Sequence, residues 1–333
     1  MRFTRLTFAL DSGALSLPAT GEIVVFRPRA GDDLSCLPKA RLLLVQGFRP
    51  DHDAFLAQGY RVLPALEPGA LRTAALVCLP RSKAEAHALL AQAAAAVVPG
   101  GPIIVDGQKT DGVDSILRDL RARGPVSEPV SKAHGKLFCF AAGDGLADWA
   151  AVPKLVEGGF WTDAGVFSAE GPDRGSALLA AALPAKLPGR VVDLGAGWGY
   201  LSQAILAREG VRSLDLVEAE AAALACARRN ITDPRAQFHW ADATTFRPER
   251  GADAVVCNPP FHTMRDADPG LGAAFIVAAA RILAPHGTLW LVANRHLPYD
   301  RVLTPLFREI EDIGGDASFR LTRAARPNRP PRA

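Results

Sequence analysis

The sequence predicts an α/β protein of two domains, each with a mostly parallel sheet. Three observations carry this prediction. The length of 333 residues suits about two domains. Each half alternates short β-branched or leucine-rich runs with helical stretches, the pattern of strands joined by helices. In the second half, one such strand runs directly into the glycine-rich segment 195–199, a turn typical of these sheets.

In the first half, apolar runs bounded by turn residues predict strands at 22–26, 41–45, 74–79, 103–106 and 136–140. Helical patterns cover 83–98, which is rich in alanine, and 113–123. Small residues and Pro153 make 143–154 the expected linker. The first domain is therefore predicted to span residues 1–150.

In the second half, strands are predicted at 190–194, 213–218, 237–240, 254–257 and 288–293. Helices are predicted at 176–183, 201–209, 219–230 and 271–283, and a closing hairpin around Gly314 and Gly315. The second domain is expected to span 151–325. The last thirteen residues carry four arginines and no acid, so 326–333 is interpreted as a basic, disordered tail.

Composition narrows the class of protein. Hydrophobic residues make up 49% and charged residues 22%, as in ordinary globular proteins. The five scattered cysteines indicate reduced thiols and a cytoplasmic location. The apolar stretch 84–98 is interrupted and too short to span a membrane. No metal site is expected, and an oligomer is not required. The net charge of +3 does not by itself indicate a nucleic-acid partner.

The turn after the strand 190–194 is the first candidate binding site. Gly195 and Gly197 allow the backbone to approach a ligand closely. Asp193 precedes them, and a carboxylate there would repel a pyrophosphate but suits a ligand with an ammonium group. Position 200 is Tyr, so the third glycine of a dinucleotide-binding turn is missing. The turn therefore favours S-adenosylmethionine (AdoMet) as the cofactor.

Two further acids follow the next two strands. Glu218 is placed to accept from both ribose hydroxyls of an adenosine, although an acid before a helix is also favoured without a ligand. Asp242, followed by Ala243, is placed to accept from the adenine amino group. The alternative for Asp242 is a cap in front of two threonines.

The candidate catalytic segment is Asn258-Pro259-Pro260-Phe261. The two prolines make a stiff loop after a buried strand, at the sheet edge where α/β proteins bind ligands. An amine conjugated to an aromatic ring is a poor nucleophile. The Asn258 side-chain carbonyl and the Pro259 backbone carbonyl can accept from such an amine and hold its lone pair toward a methyl donor. Phe261 can stack on the base.

His262 follows this segment and is a candidate contact to the base or a proton acceptor. A base is not obligatory, because a proton on a cationic amine can leave to water. The alternative for the whole segment is a turn, since Asn-Pro often begins one.

Together these motifs resemble the RsmC-like ribosomal RNA guanine-N2 methyltransferases of the small-subunit type. The resemblance rests on five segments in order: Gly165-Val166-Phe167-Ser168, Asp173-x-Gly175-Ser176, Asp193-x-Gly195-x-Gly197, Asn258-Pro259-Pro260-Phe261-His262, and Val292-Ala293-Asn294-x-x-Leu297-Pro298-Tyr299. It implies a class I AdoMet-dependent methyltransferase fold, with Phe167 among the substrate contacts.

The resemblance also implies two tandem Rossmann-like domains, of which the N-terminal one is degenerate and positions RNA. In the first half, strand 42–45 is followed by Gln46-Gly47, without a second glycine or an acid, and Leu79-Pro80-Arg81 replaces Asn-Pro-Pro. Its candidate phosphate contacts are Arg81, Lys83, Lys109, Lys132 and Lys136. Ordinary solvated surface charge is the alternative for each.

The expected reaction is methyl transfer from AdoMet to the N2 amine of a guanine in ribosomal RNA, most readily the 16S RNA, free or in a ribosomal subunit. The same chemistry on another acceptor remains open: a 23S guanine, a transfer-RNA adenine or a protein glutamine. A non-catalytic RNA-binding assembly factor is a further alternative. A nucleotide-dependent dehydrogenase is disfavoured by Asp193 and the Asn-Pro-Pro loop.

Overall fold

The computed structural model describes residues 2–67, 69–260 and 269–328, apart from the side chain of Pro269. The chain divides into two compact units. The first unit comprises Met1–Pro153 and Asp163–Gly165, and the second comprises Lys154–Thr162 and Val166–Ala333. The main division therefore falls close to the boundary expected at residue 150.

The first unit is built on a seven-stranded sheet. Its strands are β1 (Ile23–Phe26), β2 (Leu42–Val45), β3 (Arg61–Leu63), β4 (Ala74–Cys78), β5 (Pro102–Gln108), β6 (Val130–Lys132) and β7 (Gly135–Ala141). Its helices are α1 (Arg2–Asp11), α2 (Arg49–Ala57), α3 (Lys83–Ala96) and α4 (Val113–Arg121). The strand order is β3-β2-β1-β4-β5-β7-β6, and only the pairs that include β7 are antiparallel.

The second unit repeats this arrangement after a short hairpin of β8 (Lys154–Val156) and β9 (Phe160–Thr162). The sheet strands are β10 (Arg190–Leu194), β11 (Ser213–Glu218), β12 (Ala236–Trp240), β13 (Ala252–Cys257), β14 (Leu283–Asn294), β15 (Phe307–Gly315) and β16 (Phe319–Pro327). The helices are α5 (Arg174–Ala182), α6 (Tyr200–Leu206), α7 (Ala221–Asn230), α8 (Pro269–Ile282) and α9 (Asp300–Leu306). The order β12-β11-β10-β13-β14-β16-β15 matches that of the first unit strand for strand. The predicted pair of tandem Rossmann-like domains is confirmed.

The central strands of the second unit are buried on both faces, which explains why they read as continuous apolar runs. Successive side chains of a strand point to opposite faces. Val191 of β10 and Ala254 of β13 accordingly join one core cluster, while Val192 and Val255 join the other. Helices cover both clusters, so polar groups that serve a ligand are left to the loops at the strand ends.

Helix α1 was not predicted, because its arginines obscure its apolar face. Arg2 and Arg5 are buried, and both pair with the fully buried carboxylate of Asp106 at the end of β5. Arg2 also pairs with Asp32 at 3.0 Å. Buried charges of this kind are tolerated when they are paired and hydrogen-bonded. The first unit therefore holds an ion-pair cluster near the carboxyl end of its sheet.

The strand order also corrects one assignment made from the sequence. The strand of the first unit that corresponds to β10 is the central strand β1, whereas β2 corresponds to β11. β1 is followed by Arg27, Pro28 and Arg29, and no glycine occurs before Gly31. Strand β4 corresponds to β13, so Leu79-Pro80-Arg81 does stand where the second unit has Asn-Pro-Pro. The first unit thus lacks both the glycine turn and the asparagine.

The predicted closing hairpin is formed by β15 and β16, which pair in antiparallel fashion. Strand β16 extends to Pro327, so the first two residues assigned to the tail belong to the sheet. Residues 329–333 lie outside the described residues.

Candidate active site

The glycine turn after β10 has a backbone that only glycine adopts readily. Gly195, Gly197 and Gly199 have φ angles of 84°, 55° and 95°, in the left-handed region that a Cβ disfavours. The N–H groups of Gly195 and Ala196 both donate to the carbonyl of Val217, at 2.9 and 3.0 Å. The turn is therefore held against the end of β11 with its backbone close to the sheet edge.

Asp193, at the end of β10, is fully buried. Its Oδ2 accepts a hydrogen bond from the hydroxyl of Ser202 at 2.6 Å. Its Oδ1 is buried and has no donor among the residues that the structure describes. Burial raises the pKa of Asp193 to about 7, and the nearby charge of Glu218 adds to the effect. A buried carboxylate with one unsatisfied oxygen is suited to a cationic group.

Glu218 ends β11 and faces the same turn. Its Oε2 accepts from the N–H of Gly197 at 2.8 Å, and its Oε1 accepts from the N–H of Glu220 at 2.7 Å. Burial raises the pKa of Glu218 above its ordinary value. The structure therefore brings Asp193, the turn and Glu218 together at the carboxyl ends of two adjacent strands, as expected.

Asp242 follows β12 and forms a turn with its own neighbours. Its Oδ1 accepts from the backbone N–H and the hydroxyl of Thr244, at 2.8 and 2.7 Å. This is the cap-like arrangement that the sequence left open as an alternative. Ala243 is buried in the same core cluster as Phe275, so this residue can offer a ligand only its backbone.

A concave pocket of about 380 Å³, counted with its open mouth, lies beside the turn. Its lining comprises Phe167, Ser168, Asp173, Ser176, Gly195, Ala196, Gly197, Trp198, Tyr200, Leu201 and Asn258. Phe167 is 63% exposed, which leaves its ring free to contact a substrate. The Trp198 indole donates to the carbonyl of Phe167 at 2.9 Å, which ties this exposed residue to the glycine turn.

Asn258 lies in this pocket with a defined orientation. Its Nδ2 donates to Oδ2 of Asp173 at 2.9 Å and to the hydroxyl of Ser176 at 2.8 Å. Its Oδ1 is buried, and no residue in the described part of the chain donates to it. Pro259 is buried and Pro260 exposed, whereas Phe261 and His262 lie outside the described residues. The free hydrogen-bonding group of the amide is thus an acceptor.

Asp173 and Ser176 are site residues to which the sequence assigned no role. Asp173 caps α5, since its Oδ2 accepts from the backbone N–H of Ser176 at 2.8 Å. The Asp-x-Gly-Ser spacing signals such a cap. The contact to Asn258 has no signal in the sequence, because it joins positions 85 residues apart.

The lysines predicted to contact substrate lie in the first unit, and several have internal partners. Lys136 pairs with Asp114 at 2.6 Å, and Lys83 pairs with Asp119 at 2.6 Å. The Lys132 ammonium lies 4.5 Å from the centre of the Phe8 ring.

Within the described ranges, the structure contains no group of three or more His, Cys, Asp or Glu side chains arranged to hold a metal ion. Over the same ranges, no helix combines the length and apolar character that crossing a membrane requires.

The chain is similar to known methyltransferases over most of its length. Residues 157–323 match the model of the methyltransferase small domain family. A ribosomal RNA small subunit methyltransferase C from Shewanella loihica is 30% identical, covering 74% of this chain and 75% of the relative. The protein of the same name from Alcanivorax borkumensis is 33% identical, with coverages of 66% and 69%.

Among solved structures, the T. thermophilus 16S rRNA N2 G1207 methyltransferase (RsmC), in complex with AdoMet and guanosine, superimposes with a TM-score of 0.77. It is 24% identical, and the match covers 93% of this chain and 90% of that one. The likeness extends over both units and supports the fold. By its family match and its curated relatives, the chain belongs to the methyltransferase small domain family and, within it, to the ribosomal RNA small subunit methyltransferase C proteins.

Proposed function

We propose that this protein transfers a methyl group from AdoMet to the exocyclic N2 amine of a guanine in the RNA of the small ribosomal subunit. The observation that carries the proposal concerns Asn258, which lines a pocket beside the glycine turn: its Oδ1 is a buried acceptor to which no described residue donates. The relatives named for small-subunit RNA and the solved structure named for N2 of a 16S guanine support the choice of acceptor.

The residues around the turn fit AdoMet. The buried Oδ1 of Asp193 lacks a partner in the described structure, and an ammonium group is the partner that a carboxylate prefers. Glu218 lies at the end of the adjacent strand, where its carboxylate would accept from both ribose hydroxyls. The positive φ of Gly195 and Gly197 lets the backbone pass close to the ligand.

The chemistry places two demands on the protein. The cofactor would supply a methyl group bonded to a positively charged sulfur, and the sulfur would keep the electron pair of that bond. The guanine amine must present a lone pair that is otherwise delocalised into the ring. Oδ1 of Asn258 and the carbonyl of Pro259 would accept its two N–H groups, which favours a tetrahedral nitrogen with its lone pair toward the methyl group. The extra proton then leaves to water.

Two aromatic residues would hold the base. Phe167 is exposed at the pocket, and Phe261 follows the two prolines. Stacking of a base on an aromatic ring is sequence-tolerant and requires that the base be unpaired or flipped out. His262 would contact the same base.

In the first unit, Arg81 and Lys109 are the best candidates for RNA contacts. Arg81 follows β4 and Lys109 follows the adjacent strand β5. Cys78 and Asp106 are register partners in these two strands, and each basic residue lies three positions after one of them. Both side chains are exposed, and neither forms an ion pair with another described residue, unlike Lys83 and Lys136. Lys132 would contribute a weaker contact. Ribosomal RNA as partner also implies that the protein works in the cytoplasm.

The test is methylation with tritiated AdoMet of 30S subunits, 50S subunits and total RNA, each from cells that lack the protein. Label recovered as N2-methylguanosine from 16S RNA, and lost with Asn258→Ala, is the expected result. Label in methyladenosine, in 23S RNA or in protein would identify a different acceptor for the same methyl-transfer chemistry. Absence of label from every acceptor, together with no AdoMet binding, would indicate an assembly factor instead.

A further inference from the structure

We propose that Asp173 and Ser176 are positioning residues that hold the Asn258 side chain with its carbonyl oxygen toward the target amine. This inference rests on the proposed function, because it explains how that site selects its acceptor atom. Neither residue needs to touch the substrate for this role. Both act through the orientation of one amide group.

The donor side of the amide is fully used. An asparagine side chain has two N–H donors, and the Nδ2 of Asn258 makes two hydrogen bonds, at 2.9 Å to Asp173 and 2.8 Å to Ser176. An ionised carboxylate only accepts, so the oxygen of Asp173 cannot pair with Oδ1 of the asparagine. Rotating the amide by 180° would bring two acceptors together and lose a charge-assisted hydrogen bond. The amide is therefore held in one of its two orientations.

The carboxylate of Asp173 is itself held in place. It caps α5 through the N–H of Ser176 at 2.8 Å, so its position is set by a helix that packs on β14 and β16. Gly175 lies between the two residues. A Cβ at this glycine would lie 3.0 Å from the Phe319 ring and 3.1 Å from Oδ2 of Asp173. The absent side chain lets the helix start, the carboxylate and β16 pack closely.

This arrangement restricts what the site accepts. With both amide donors occupied, the carbonyl oxygen is the only hydrogen-bonding group of this side chain that remains available to a substrate. A substrate group at that point must be a hydrogen-bond donor, as an exocyclic amine is. A ring carbonyl would face Oδ1 acceptor to acceptor and would be rejected. The acceptor selectivity of the site thus originates at the start of α5, outside the Asn-Pro-Pro segment.

The orientation can be observed without any enzymatic reaction. The sequence contains four asparagines, Asn230, Asn258, Asn294 and Asn328. Protein labelled with ¹⁵N at asparagine alone therefore gives four pairs of side-chain amide signals, and Asn258→Ala identifies the relevant pair. Asn230 serves as an internal control, because its Nδ2 donates to the backbone carbonyls of Trp161 and Trp198.

We expect the Asn258 amide protons to exchange slowly with water in the full chain. The exchange should accelerate by about tenfold or more in the double variant Asp173→Ala, Ser176→Ala, because the protecting acceptors are gone. The Asn230 signals should stay unchanged. Asn258 signals that do not respond to the double variant would overturn the proposal.

The kinetic consequence is measured on the RNA acceptor that the wild-type protein methylates. Ser176→Ala and Asp173→Ala should each lower kcat by about tenfold to a hundredfold, with AdoMet affinity within about threefold of wild type. Asp173→Asn can still place an oxygen toward Ser176 and Asn258, so it should recover part of the loss. In the Asn258→Ala background, the further effect of Asp173→Ala should nearly vanish.

Ser82→Ala is the matched control for helix capping, since Ser82 caps α3 by accepting from the N–H of Glu85 at 3.2 Å. It should lower Tm comparably to Asp173→Ala and leave kcat unchanged. Losses that add fully to that of Asn258→Ala, or that follow Tm alone, would contradict a positioning role. A wild-type protein that methylates nothing but shows the expected amide signals would refute the proposed function and leave the orientation of Asn258 established.

Discussion

The carboxylate of Glu218 accepts a hydrogen bond from the backbone N–H of Gly197 at 2.8 Å. The acid at the end of β11 thus pairs with the glycine turn after β10. The carboxylate that we assign to the cofactor ribose is already positioned by the turn against which the cofactor would lie. Such preorganisation reduces the cost of ordering the site on binding.

Glu218→Gln should weaken AdoMet binding by about tenfold to a hundredfold. The amide replaces a charged acceptor of ribose hydroxyls with a neutral one, and its NH₂ would also oppose the N–H of Gly197 or Glu220. Isothermal titration calorimetry measures the change. Glu249→Gln, at an exposed position, is the control. Equal affinity in both variants would remove Glu218 from the cofactor site.

AdoMet binding should depend on pH through Asp193, whose pKa burial raises to about 7. Below that pH the carboxyl is neutral, and it must lose its proton to pair with an ammonium group. The affinity should therefore rise with pH by up to about tenfold per unit between about pH 5.5 and 7. Titrations at several pH values check this, with Asp193→Asn expected to bind weakly and with little pH dependence. An equally steep profile in that variant would assign the titration to another group.

The same pKa predicts the pH dependence of stability without cofactor. The folded pKa of Asp193 lies above the ordinary value of 3.8, so the folded state retains a proton that the unfolded chain releases. Stability from this group is present below about pH 4 and is lost as the pH rises to about 7, on the order of 4 kcal/mol at most. Chemical unfolding of wild type and Asp193→Asn should give curves that diverge across this window. A constant difference would contradict the assignment.

Gly195→Ala should damage both stability and cofactor binding. The residue has a φ of 84°, and an added Cβ would lie 3.1 Å from the Phe275 ring. We expect a loss of about 1–3 kcal/mol in the free energy of unfolding, from strain and crowding together. Gly197→Ala shares the positive φ but meets no atom within 4 Å, so its loss of stability should be smaller. Similar losses in the two variants would mean that crowding against Phe275 does not contribute to the loss of stability.

Asn230, the last residue of α7, stabilises the glycine turn through hydrogen bonds to the backbone of Trp161 and Trp198. Its side chain donates to the carbonyls of Trp161 and Trp198 at 2.9 and 2.8 Å and accepts from the N–H of Trp161 at 2.7 Å. Asn230→Ala should lower the free energy of unfolding by about 2–4 kcal/mol, because three hydrogen bonds to backbone are lost. Tryptophan fluorescence and denaturant titration test this. A variant of wild-type stability would show that these bonds are replaced by water.

Much of the fold was predictable because its signals are local. Short apolar runs separated by helical patterns predict the strands β10 to β14, and the glycine-rich segment 195–199 predicts the turn after β10. Helix α1 escaped prediction because Arg2 and Arg5 resemble surface residues, and their main partner, the buried carboxylate of Asp106, lies about a hundred positions away in the chain. The strand of the first unit that matches β10 was likewise misassigned, since strand order depends on pairing between distant segments.

By itself, the sequence determined the two α/β domains, the family and the residue types of the site, since turns, strand ends and the Asn-Pro-Pro segment are properties of short stretches of chain. Only the tertiary structure decided which atoms of those residues are free. Oδ1 of Asn258 is left as the available group of the amide, with no donor in the described part of the chain, because Asp173 and Ser176 occupy the amide nitrogen. Oδ1 of Asp193 is buried away from water and has no donor among the residues that the structure describes. Hydrogen-bond satisfaction depends on packing between elements far apart in the chain, and no local pattern encodes it.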